Sequence, residues 1–118
     1  MSEDEDDAEE NLRTYLLVKT LCEYSLSRFG DYRELKKTNS EGSQYEFHQF
    51  IKLRNRALVL GLRIEDEFSR GLATHQLIKL SFEVGDKSMC KELLSSVTDD
   101  FLKEQILNDL PQVKELAD

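Results

Sequence analysis

The sequence predicts an all-α protein: a single compact domain of five or six helices, behind a disordered acidic N-terminal arm. Three observations carry this. The chain has 118 residues but only one proline, five glycines and no tryptophan, too few breakers for a sandwich or barrel with turn signals about every 8 to 12 residues. Its apolar residues recur at helical spacing. Its charge is segregated: residues 1–10 hold seven acids and no base, and the other 108 residues hold 17 acids against 16 bases. A one-sign block of this kind is read as a solvated arm. The arm is placed at residues 1–8 and the helical domain at 9–118, the length of one ordinary domain.

The first helix is expected over 9–29, with acids at its start where the macrodipole favours them. At helical spacing it is apolar on two faces. Leu12, Tyr15, Leu16, Val18, Cys22, Leu26 and Phe29 lie on one side, and Leu17, Leu21 and Tyr24 on the other. A surface helix needs one apolar stripe, so a second one demands a central position or a partner. Gly30 is placed at the left-handed position that ends the helix. Asp31 and Glu34 then suggest a short helix over 32–37, and residues 38–43 read as a loop.

Ser43 and Glu46 have capping-box spacing ahead of an apolar run, which predicts a helix from 43 to about 60. Phe47, Phe50, Ile51, Ala57 and Leu58 share its apolar face, while His48, Gln49, Lys52, Asn55 and Arg56 lie opposite. Residues 61–71 are ambiguous. Leu72–Val84 is the next helix, again two-sided, with Ala73, Leu77, Leu80 and Val84 on one stripe and Ile78 and Phe82 on another. Gly85 and Asp86 give a stop and a new N-cap in succession. Lys87–Val97 follows, one-sided through Met89, Cys90, Leu93, Leu94 and Val97. Thr98 is the expected cap of a last helix, Pro111 stops it, and residues 112–118 are expected to fray.

The Gly-Asp pair occurs twice, 55 residues apart, but the surrounding residues do not match. Tandem repeats would show a fixed period. An irregular bundle of helical hairpins is therefore expected, with a fragment of an α-solenoid as the alternative.

No catalytic constellation emerges. Cys22, His48, His75 and Cys90 stand alone, at least 15 residues apart, whereas structural zinc ligands come in close pairs. Both cysteines fall on apolar faces, where thiols behave as small hydrophobes. Neither a dinucleotide fingerprint nor a phosphate-binding loop is present. A non-enzymatic chain with no cofactor and no metal is expected. Residues 1–10 lack the basic start and apolar run of a signal peptide, and no stretch of about 18 apolar residues offers a membrane span. A cytoplasmic or nuclear protein with reduced thiols and no membrane partner follows as the expectation.

What remains is binding. The favoured function is a non-catalytic intracellular protein–protein interaction module, an adaptor or a subunit of a larger complex, whose partner is one or more proteins or a second copy of itself. The candidate apolar contacts are Leu17, Leu21 and Tyr24, with Ile78 and Phe82. The candidate basic face is Lys52, Arg56 and Arg63. Arg54 falls among apolar residues, so it either pairs inside the fold or anchors an interface, where arginine is enriched. The alternative function is nucleic-acid association through residues 33–63, within a stretch (28–63) that has eight bases against four acids. A basic stripe is the electrostatic footprint of phosphate binding.

Overall fold

The computed structural model describes residues 3–116. Six helices follow in order: α1 (Glu3–Leu35), α2 (Ser40–Leu62), α3 (Glu67–Glu83), α4 (Lys87–Ser96), α5 (Asp100–Asp109) and α6 (Val113–Leu116). No strand occurs among the described residues. The expected all-helical bundle is what the chain forms.

The largest departure from expectation is α1. It begins at Glu3, so residues 3–8, expected as part of the disordered arm, lie in the helix; Met1 and Ser2 lie outside the described residues. Acids at a helix start are favoured by its dipole, and Arg13 reaches back one turn to Glu9 at 2.6 Å. The helix also runs through Gly30 to Leu35, so no joint forms at Gly30-Asp31. A glycine inside a helix costs about 1 kcal/mol relative to alanine. Packing on both sides of it offsets that cost: Phe29 meets Phe50 at a centroid distance of 5.0 Å, and Tyr32 meets Phe47 at 5.0 Å.

Capping also differs. Asn39 caps α2, its side chain accepting from the Gly42 N–H at 2.9 Å. Asn is as good a cap as Ser, and starting one turn earlier extends the hydrogen-bonded helix. Ser43 is therefore buried inside α2, where its hydroxyl donates to the Ser40 carbonyl, and Glu46 is free to pair with Arg28 at 3.1 Å. Asp66 caps α3, and the Ser69 backbone N–H, then its hydroxyl, hold the Asp66 carboxyl below the usual carboxylate range. Asp99, not Thr98, caps α5; the Thr98 hydroxyl donates to Glu67 at 2.8 Å instead. Beyond Pro111 the chain turns into α6, and Val113 is fully buried rather than frayed.

The Gly85-Asp86 joint forms as expected. Gly85 has φ of 81°. Its N–H donates to the Phe82 carbonyl at 3.1 Å, and the Asp86 N–H donates to Ser81 at 2.8 Å. These two bonds close the C-terminal turn that a left-handed glycine permits. Asp86 then caps α4 by accepting from the Met89 N–H at 3.1 Å.

Helix α3 is the centre, packing against α1, α2, α4 and α5. Val18, Leu77, Ile78, Leu94, Ile106 and Val113 form the most deeply buried part of the core. Gly71 on α3 lets α5 approach: a Cβ there would collide with the Leu102 side chain. The molecule is flat, with principal extents of 54 × 37 × 17 Å. The long dimension follows from α1, which at about 1.5 Å per residue spans about 50 Å. Helix α2 lies antiparallel to α1, and the pair forms a hairpin with α3 on its inner side. The thickness of 17 Å leaves room for only about two helix layers at 8–10 Å between axes. The face of the hairpin turned away from α3 therefore carries no third layer.

Candidate interaction surface

Two of the nine sequence-derived candidates are core residues. Ile78 is 0 % exposed and Leu21 is 8 % exposed. Their burial corrects the expectation that they are partner contacts. The physical reason is that α3 needs both of its stripes covered within the fold, and Leu21 of α1 packs into the same core cluster as Ile78. Phe82 is half-buried and packed against the same core.

Arg54 also turns inward. Its guanidinium lies over the Phe50 ring at 5.4 Å and reaches Asp86 at 3.6 Å. Its side chain is 19 % exposed, and its buried Nε has no hydrogen-bond partner. Arg54 thus makes one of three aromatic–cation contacts among the described residues. The others are Arg33 over Phe29 at 4.6 Å and Lys36 over Tyr32 at 5.6 Å. Their rings, with Phe47, form a connected cluster between the C-terminal end of α1 and the N-terminal half of α2. Each of these cations follows its aromatic by four residues, the spacing of neighbours on one helix face. That spacing is legible in the sequence as a signal for the cluster.

The five remaining candidates share one surface. Leu17 and Tyr24 are 43 % and 61 % exposed on α1. Lys52 and Arg56 are exposed on α2, and Arg63 is exposed just beyond its end. Among the described residues none of these three bases has an ion pair. The registry of the hairpin follows from Arg28 paired with Glu46 and Ser25 donating to the Phe50 carbonyl at 3.2 Å. With Val18 near Gly61, this sets Tyr24 abreast of Lys52 and Arg56, and Leu17 abreast of Arg63. At about 100° per residue, both rows point away from α3. The result is an apolar row on α1 beside a basic row on α2. Tyr45 and Val59, also exposed, extend the α2 row. At its far end, Arg63 shares a shallow cleft with Asp7, Glu10 and Asp66.

The reactive side chains lie elsewhere. Burial, then Glu23, pushes the Cys22 thiol up to about 12. Burial, then Asp86, pushes Cys90 up to about 11. Both thiols are therefore neutral near pH 7, the opposite of an activated nucleophile. His75 Nε2 lies 2.8 Å from the Asp109 carboxylate and ties α3 to α5. A cleft of about 220 Å³ between α3 and the α4–α5 joint includes Glu67, Arg70, Thr74 and Thr98. Their hydrogen bonds run within the chain, Arg70 donating to the Ile64 and Glu65 carbonyls and Thr74 to that of Arg70. Among the described residues no three His, Cys, Asp or Glu side chains are grouped to hold a metal ion. No described helix is long and apolar enough to cross a membrane.

Comparison of the chain with protein-family models, curated proteins and solved structures finds no match.

Proposed function

We propose that the chain is a non-catalytic intracellular protein–protein interaction module, an adaptor or a subunit of a larger complex. The observation that carries this reading is the free face of the α1–α2 hairpin, where exposed Leu17 and Tyr24 lie beside unpaired Lys52, Arg56 and Arg63. Burying a large apolar side chain is worth about 1.5–3 kcal/mol, and tyrosine and arginine are the residues that most often dominate interfaces. The buried, neutral thiols favour the same reading over nucleophilic chemistry.

The test is capture of bound proteins by the tagged full chain from native lysate, with and without nuclease. Proteins that persist through nuclease and moderate salt support the module. A set that collapses with nuclease contradicts it.

The second reading is nucleic-acid association. It is favoured by Tyr45 standing in line with Lys52, Arg56 and Arg63, since single strands use aromatic stacking beside basic side chains. It requires binding that weakens steeply with salt as counterions are released.

A further inference from the structure

We infer that the free face of the α1–α2 hairpin takes an acidic amphipathic helix of a partner protein. The inference rests on the reading of the chain as a protein-interaction module and states the chemistry of the partner.

The charge layout of the two helices selects this occupant. The outward row of α2 carries Lys52 and Arg56 and is continued past the helix end by Arg63, which shares its cleft with Asp7, Glu10, Glu65 and Asp66; the acids within α2 are Glu41 and Glu46. Glu46 is already held by Arg28. The three bases span about 16 Å along the helix at 1.5 Å per residue. Carboxylates on a docked helix, spaced one turn and then two turns apart, match them. The adjacent row of α1 supplies Leu17 and Tyr24, seven residues apart and on one line. A helix laid over the hairpin would set its apolar stripe on that row and its acids on the α2 row, the helix-on-surface mode of recognition.

A second copy of this chain fits poorly. The outward side of α1 carries Asp6 and Glu9 near its start and Asp31 and Glu34 near its end, all exposed. Two α1 helices packed on these faces, parallel or antiparallel, place acid against acid at both ends, and like charges in register repel. A copy-to-copy contact along α1 therefore leaves the basic row of α2 uncovered, and an acidic helix of a different chain covers it without that repulsion.

The probe is a displayed library of amphipathic helices with a fixed apolar stripe and randomised flanking positions, selected on the full chain at physiological salt. Winners are expected to be enriched in Asp and Glu beside the stripe. Their binding is expected to fall about tenfold or more on Lys52→Glu with Arg56→Glu, and also on Tyr24→Glu. All three positions are exposed, and unchanged circular dichroism will show that the variants fold. Helices carrying Lys in place of the acids are expected to prefer the reversed-charge variant.

Winners without an acidic bias, or winners indifferent to these variants, overturn the inference and leave the interaction-module reading standing. An absence of winners overturns it as well. If, in addition, a single-stranded RNA binds the same preparation with a steep loss of affinity in salt, the module reading falls with it.

Discussion

Arg54 of α2 and Asp86, the cap of α4, form an ion pair at 3.6 Å that ties the hairpin to the second half of the fold. The same guanidinium covers Phe50, and its Nε is buried without a partner. The apolar stem and the pair pull in one direction, and the orphaned donor in the other. Arg54→Ala is expected to lower stability by about 1–3 kcal/mol. Arg54→Met keeps contact with Phe50 and removes the unsatisfied donor, so its cost is expected to stay under about 1 kcal/mol. Asp86→Ala removes both the pair and a helix cap, for about 2 kcal/mol. Urea midpoints of the three variants check the order.

The two Gly-Asp pairs give opposite expectations. Gly30 lies inside α1 with nothing within 4 Å of an added Cβ. Gly30→Ala is expected to stabilise by about 0.5–1 kcal/mol through helix propensity. Gly85 has φ of 81° and closes α3. Gly85→Ala is expected to destabilise by about 1 kcal/mol, because an L side chain is strained in that conformation. Thermal melts of the two variants should move in opposite directions.

This contrast shows what could be read from the residues. The fold class, the turn at Gly85 and the whole of α4 were legible, because helical spacing and a cap agreed there. At Gly30 the local signal is the same, and the outcome is decided by residues far along the chain. Phe29 and Tyr32 keep packing on Phe47 and Phe50, which no local rule contains. The choice between Asn39 and Ser43 as the cap of α2 was likewise a contest between two good caps four residues apart. Which two-sided helix is central depends on tertiary order. Leu21 and Ile78 went to the core and Leu17 and Tyr24 to the surface, although their spacing in each helix is equally apolar.

That partition has a direct consequence for stability. Ile78→Ala and Leu21→Ala are expected to cost about 2–5 kcal/mol as cavities open. Leu17→Glu and Tyr24→Glu are expected to stay within about 0.5 kcal/mol of the parent, as exposed substitutions do. Chemical denaturation separates the two classes.

The thiols set an alkaline limit. Cys22 and Cys90 are raised from 9.0 to about 12 and about 11 in the folded protein. A group raised on folding contributes stability that is fully present below its unfolded value and lost as pH rises through the folded one. The loss is therefore expected to begin above pH 9 and continue towards 11–12. Denaturation midpoints followed across that range should fall less steeply for Cys22→Ala than for the parent. At neutral pH, alkylation of either thiol in the folded chain is expected to be far slower than that of a free thiol.

On the proposed function, other proteins dock on the free face of the hairpin, where Leu17 and Tyr24 lie beside Lys52 and Arg56. The most direct test is quantitative mass spectrometry of proteins captured from nuclease-treated lysate. The parent chain is compared with Tyr24→Glu/Arg56→Glu and with Glu104→Lys, an exposed change on α5. A set of proteins is expected to be retained by the parent and by Glu104→Lys and depleted about tenfold or more by the hairpin variant. Equal retention by all three chains would contradict the proposed function.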